Sequence, residues 1–143
     1  MKIRLMSIED YNEVYKLWTN TDGMGMRSLD DSLEGIDKFL KRNPSTNFVV
    51  QEGDKIIGVI LCGHDGRRGF IYHTAVNTDY RSRGIGRALV NAALDALRKE
   101  KINKVALVVF TSNDLGNKFW QSLGFVMRND LVYRNLSIND NNI

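Results

Sequence analysis

Phe70-Ile71-Tyr72-His73-Thr74-Ala75-Val76, then Asn77-Thr78-Asp79-Tyr80, then Arg81-Ser82-Arg83-Gly84-Ile85-Gly86-Arg87 is the stretch on which the reading of this chain turns. Residues 70–76 have the apolar and aromatic character of a strand. From Ile85 the period changes: Ile85, Ala88, Leu89, Ala92 and Ala96 recur at helical spacing. The joint between them is a glycine-bearing turn that opens a long helix. The first N–H groups of a helix lack an internal partner, and the helix dipole adds roughly half a positive charge there. A phosphate satisfies both. Gly84 and Gly86 carry no side chain to hold a phosphate off the backbone, and Arg81, Arg83 and Arg87 add charge and paired donors. A plain tight turn with solvated arginines is the simpler alternative. Two other phosphate-binding patterns do not fit. The third glycine of a dinucleotide fingerprint would fall at Leu89, and no Gly-Lys-Ser/Thr follows the turn.

Outward from this joint, the N-terminal half predicts a strand at Lys2–Met6 and a helix opened by Ser7 and running to about Thr19. Thr21–Met26 carries two glycines and reads as a loop, and a second helix follows Asp30 with Leu33, Ile36, Phe39 and Leu40 on one face. Asn47–Gln51 and Lys55–Cys62 flank Gly53-Asp54 as a hairpin. Beyond the long helix, the continuous apolar run Val105–Val109 predicts a central strand buried on both sides. Leu115, Phe119, Trp120 and Leu123 mark a last helix stopped by Gly124. Phe125–Met127 and Leu131–Leu136 predict a closing hairpin. The order β-α-α-β-β-β-α-β-α-β-β implies an α/β chain with a mixed sheet and helices on both faces. One domain over residues 1–138 and a frayed polar tail at 139–143 are expected.

Composition narrows the function. With 143 residues, 43% hydrophobic and 26% charged, the chain has material for a core and the charge of a soluble domain. No apolar run approaches the ~20 residues of a membrane helix, and charges interrupt the start where a signal peptide would be apolar. A single cysteine, Cys62, offers neither an internal disulfide nor a thiolate cluster for zinc, which fits a reducing, cytoplasmic setting. Two histidines and scattered carboxylates suggest no metal site. The net charge is only +3, and the tight basic cluster at 81–87 suits a small phosphorylated ligand at least as well as a duplex. Neither a membrane nor a nucleic acid is therefore the expected partner.

Val76–Leu89 resembles motif A of the GCN5-related N-acetyltransferase (GNAT) superfamily, whose core is Arg/Gln-x-x-Gly-x-Gly/Ala after a strand. The matches are Arg81, Gly84 and Gly86. Asn113–Phe125 resembles motif B at Asn113, Phe119-Trp120 and Leu123-Gly124-Phe125. The element order resembles the family throughout, and within it the small bacterial YpeA-type group is most similar. The resemblance implies a mainly antiparallel sheet splayed between two parallel strands, Phe70–Val76 and Val105–Val109, with acetyl-CoA in the opening. It implies backbone pairing of the pantetheine arm near Ala75 and Val76. It also implies a pyrophosphate cradle from the amides of Ser82, Arg83, Gly84, Ile85, Gly86 and Arg87, and a hydrogen bond from Asn113 to the pantetheine arm. Trp120 falls beside the same cofactor.

The implied reaction is direct attack of a primary amine, on a small molecule or a peptide or protein, at the thioester. At pH 7 only roughly one lysine in 2,000 is neutral, so such an acceptor needs a base or desolvation. By the resemblance, the Val76 N–H stabilises the carbonyl oxygen. Many relatives place a carboxylate on the strand that here carries Tyr72-His73. His73 is one candidate base and a water held by the main chain is the other. The second aromatic of motif B, often a proton-donating tyrosine, is Trp120, whose indole is no proton source near neutrality. Tyr133 is the other candidate acid, and a packed strand aromatic is its plainer reading. In this fold the segment joining the first two helices borders the acceptor. Asp22 is thus placed to attract an ammonium and Met24 and Met26 to line the pocket, unless that segment is simply a surface loop. A buried thiol is expected at Cys62 rather than a nucleophile. A catalytically silent acyl-CoA-binding module is the alternative function, and dimers are frequent among relatives, so a homodimer is the assembly to test.

Overall fold

The computed structural model describes residues 1–143 throughout. Strands β1 (Lys2–Leu5), β2 (Phe48–Glu52), β3 (Lys55–His64), β4 (Gly69–Val76) and β5 (Val105–Ala106) form one sheet in the order β1-β2-β3-β4-β5. The first four run antiparallel to their neighbours, and β5 is parallel to β4. The helices are α1 (Tyr11–Thr19), α2 (Leu33–Arg42), α3 (Ile85–Lys99) and α4 (Asp114–Ser122). The expected α/β architecture, with a mainly antiparallel mixed sheet and a helical layer on each face, is the one formed.

Alternation along the strands divides the core. Val49, Val59, Leu61 and Ala75 face α1 and α2, where they meet Val14, Trp18 and Ile36. Val50, Ile57, Ile60 and Ile71 face α3, where they meet Ile85, Leu89, Val90 and Ala93. From Gly58 onward successive residues of β3 serve opposite layers, Ile57 being the extra residue of a bulge against β2, and this central strand is buried from Ile56 to Gly63. The Gly53-Asp54 turn forms as expected, with Glu52 opposite Lys55. Ser32 caps α2 by accepting from the Gly35 N–H at 3.0 Å. At the other end of the layer, Arg4 on β1 donates to both carboxylate oxygens of Asp10 at 2.8 Å, and the Ser7 N–H adds a third bond at 2.9 Å. This ties the edge strand to the start of the first helix.

One irregularity positions the site. On β3 and β4, Ile60 pairs with Thr74 and Cys62 with Ile71, so Tyr72 and His73 together stand opposite Leu61 alone. This bulge turns two consecutive side chains to the α1–α2 face. There the Tyr72 ring meets Phe39 edge-on at 5.5 Å, and the His73 ring meets Trp18 at 5.0 Å.

The C-terminal region corrects two expectations. β5 pairs only at Val105 and Ala106 and is the sheet edge, not a central strand through Val109. Val105 and Leu107 pack on the α3 layer while Val108 and Phe110 are exposed. The closing hairpin at 125–136 does not form. Phe125 still packs on Trp120 at 5.1 Å, but residues 126–138 make no backbone–backbone hydrogen bond. Strand propensity in Leu131, Val132 and Tyr133 acts only through a partner and a buried face, and these residues have neither, being 61–74% exposed. Without that outer partner, β5 has nothing to make it central. The chain end does engage the body: the Ile143 carbonyl accepts from the Ser28 N–H, and Asn142 Oδ1 accepts from the N–H groups of Leu29 and Asp30.

Candidate active site

β4 and β5 are hydrogen-bonded only at Gly69–Val105 and Phe70–Ala106 and then part. Beyond that point β4 has no neighbour on the β5 side. The Asn77 N–H donates to the Ile57 carbonyl, which sets the alternation along β4. Ala75 bonds toward β3, while Thr74 and Val76 turn their main-chain groups into the gap. A cleft of about 1980 Å³ runs from here to the start of α3 in one direction and to the α1–α2 loop in the other.

At the α3 end, the N–H groups from Ser82 through Arg87 donate to no protein acceptor. Gly84 stands immediately before the helix with φ +78°, a left-handed conformation that disfavours any side chain. Ser82 shares that region at φ +62°. These free amides lie at the positive end of a helix dipole and are the donor set of an anion cradle. Gly86 also has a packing role. A Cβ there would stand 3.0 Å from the Phe119 ring of α4, so its absence lets the two helices that wall the cleft approach. Arg81 and Arg87 line the cleft; Arg83 turns aside onto the Tyr80 ring at 5.0 Å.

The same combination of elements occurs in known proteins. Residues 11–125 match the acetyltransferase (GNAT) family. The chain belongs to that family. It is 30% identical over 132 residues to the acetyltransferase SG1711 of Sodalis glossinidius, covering 92% of each chain. Among solved structures it is similar to Ard1 from Thermoplasma volcanium, with a TM-score of 0.79 and 25% identity over 89% of this chain and 83% of that one. It shares the fold of the PaiA N-acetyltransferase from Thermoplasma acidophilum, solved with coenzyme A, with a TM-score of 0.78 and 20% identity over 89% and 90% of the two chains. This chain is thus an N-acetyltransferase, and family membership supports acetyl-CoA binding. The unpartnered amides at 82–87 and the free edge of β4 fit that molecule, since one offers donors to a diphosphate and the other a strand-like partner to an amide-bearing arm.

The remaining residues of this N-acetyltransferase fall into place around the cleft. Asn113 spends its Oδ1 on the Gly116 N–H at 3.0 Å, capping α4, and its Nδ2 is left as the free donor beside Gly23. Trp120 lines the cleft and stacks edge-on between Phe119 and Phe125. Tyr133 also lines it, 65% exposed and without a hydrogen-bond partner. Asp22 and Met24 line the cleft at the α1–α2 loop, whereas Met26 does not reach the cleft and packs against the α1–α2 core. His73 faces the cleft from the bulge, and its Nε2 lies 2.8 Å from Oδ1 of Asp31. Asp31 escaped the sequence reading. Its only local signal is a place just before the cap of α2, which reads as an ordinary acidic helix start. Cys62 is fully buried, and burial pushes its thiol up to about 12, so it is no nucleophile. No group of side chains in the structure has the composition of a metal site, and no helix is long and apolar enough to cross a membrane.

Proposed function

We propose that the protein moves the acetyl group of acetyl-CoA to a primary amine, on a small molecule or on a peptide or protein, by direct attack and without an acetyl-enzyme. The observation that carries this reading is the run of unpartnered amides from Ser82 to Arg87, which opens onto the same cleft as the free edge of β4 and the imidazole of His73. Acetyl-CoA supplies an activated thioester acyl group. The chain supplies the rest. Amides 82–87, with Arg81 and Arg87, hold the diphosphate, and main chain at Ala75 and Val76 and the Asn113 amide hold the arm. Trp120 walls the site. The Val76 N–H, turned into the gap, stabilises negative charge as it develops on the carbonyl oxygen. His73 accepts the amine proton, and the Tyr133 hydroxyl, which lines the same cleft, serves as proton donor to the departing sulfur. Asp22 and Met24 receive the acceptor. Absence of a reactive cysteine supports direct attack over a covalent route.

Thiol release measured against a panel of peptides, polyamines and aminoglycosides tests this reading. Turnover on at least one amine is expected. Tight acetyl-CoA binding with no turnover on any would favour the second reading, a silent acyl-CoA-binding module. One observation speaks for that module: Trp120 occupies the motif position where a hydroxyl donor often stands, and an indole does not surrender its proton near neutrality.

A further inference from the structure

Asp31 precedes α2, and His73 sits 42 residues later on the β4 bulge, yet the two side chains meet at 2.8 Å with only 8% and 14% of their surface exposed. The carboxylate is itself held. Its Oδ2 accepts the Arg27 N–H at 2.7 Å, the Asp31 N–H donates to the Arg27 carbonyl at 3.0 Å, and the Tyr11 hydroxyl donates to the Asp31 carbonyl at 2.6 Å. On the other side, the Trp18 ring packs edge-on against the imidazole. An ionised carboxylate only accepts hydrogen bonds, so the nitrogen facing it must carry the hydrogen. In the neutral ring Nδ1 is then the bare nitrogen, and it has no protein hydrogen-bond partner.

We propose that Asp31 is the positioning residue for His73. It fixes the ring angle and the Nε2–H tautomer so that Nδ1 is the atom that takes the proton. The proposal rests on the reading of His73 as base. In the step it serves, the amine lone pair forms the new C–N bond and the C–S bond breaks with its electron pair on sulfur. One N–H proton passes to Nδ1 and leaves from there to solvent, while the departing sulfur takes a proton from the Tyr133 hydroxyl, which solvent then reprotonates, so the amide and the free thiol balance the amine and the thioester. Asp31 exchanges no proton; its charge stabilises the imidazolium as it forms.

Imidazole nitrogen NMR in mildly alkaline buffer reads the tautomer directly. The chain has two histidines, so the signals of His73 are those lost in His73→Gln. The wild type is expected to show protonated Nε2 and bare Nδ1. In Asp31→Asn the carbonyl oxygen stays with the Arg27 N–H and the amide NH₂ faces Nε2, so the tautomer is expected to invert. On the best amine of the panel, kcat is expected to fall roughly 100-fold with KM changed less than about threefold. Asp31→Glu, which restores a carboxylate, is expected to recover the wild-type tautomer and part of the rate. Adding Asp31→Asn to His73→Gln is expected to cost nothing further. A wild-type ring protonated at Nδ1 overturns the proposal, as does an Asp31→Asn enzyme within twofold of wild-type kcat. Should Asp31→Asn fail to fold, the wild-type tautomer and Asp31→Glu still decide. A wild type that turns over no amine refutes the acetyl-transfer reading and takes the base role with it, a failure told apart because the tautomer is read without turnover.

Discussion

The two ends of the cleft are built on opposite principles. At the α3 end the groups proposed to hold the diphosphate are main-chain amides, left without partners from Ser82 to Arg87, on an exposed turn held by a left-handed glycine. At the α1–α2 end the groups are packed side chains: Asp31 makes four hydrogen bonds, to Tyr11, Arg27 and His73, and His73 is clamped between it and Trp18. A diphosphate is the same in every molecule of cofactor, so a cradle of backbone dipoles suffices to bind it. A proton transfer needs one nitrogen at one angle, which only packed and bonded side chains provide.

The contrast breaks first at His73. His73→Gln is expected to lower kcat/KM by roughly 10²- to 10³-fold while calorimetry finds acetyl-CoA affinity unchanged; a parallel loss of cofactor binding would show that the two ends are not separate. The converse is Gly84→Val. A Cβ at Gly84 meets nothing within 4 Å, so the fold is expected to survive, but a β-branched residue at φ +78° is strained. A distortion of roughly 1–2 kcal/mol per left-handed residue corresponds to about a 5- to 30-fold weaker Kd for acetyl-CoA, with the His73 tautomer unaltered.

Away from both ends, the Arg4–Asp10 pair supplies a control. Burial alone would raise the Asp10 carboxyl, but hydrogen bonds from Arg4 and Ser7 and the charge of Arg4 outweigh it and hold the group below its ordinary value. Folding thus favours the ionised form. Its stabilisation is complete above the unfolded value near about 3.9 and is lost as pH falls through the lower folded value. Asp10→Asn is expected to lower stability by about 2 kcal/mol near neutrality. In denaturant titrations the gap to the wild type should narrow as pH falls below the ordinary carboxylate range, and neither acetyl-CoA affinity nor the tautomer should move. The smallest effect belongs to Cys62. With its thiol pushed up to about 12 by burial, alkylation of the folded protein at mildly alkaline pH is expected to run at least roughly 10³-fold slower than for a free cysteine. Turnover after treatment should be unchanged, as intact-mass analysis alongside the assay would establish.

What could be read from the chain was what is local. The turn at Gly53-Asp54, the change of period at Ile85 and the glycine before α3 follow from spacing and backbone sterics within a few residues, so the α/β order and the run of unpaired amides were legible. Where burial depends on a partner, reading failed. Val105–Val109 has the composition of a central strand, but centrality requires an outer strand, and Leu131–Leu136 does not provide one. Gly86 matches its motif, yet its contact with Phe119 is set by how two helices cross.

The sequence by itself determined where amides would be left unpaired, because a helix start and a glycine create that vacancy without help from elsewhere. Tertiary structure alone decided which nitrogen of His73 is bare. That depends on a bulge in β4 that turns the ring and on a carboxylate from a distant loop that claims Nε2. Contact across 42 residues is a property of packing, and no local pattern encodes it.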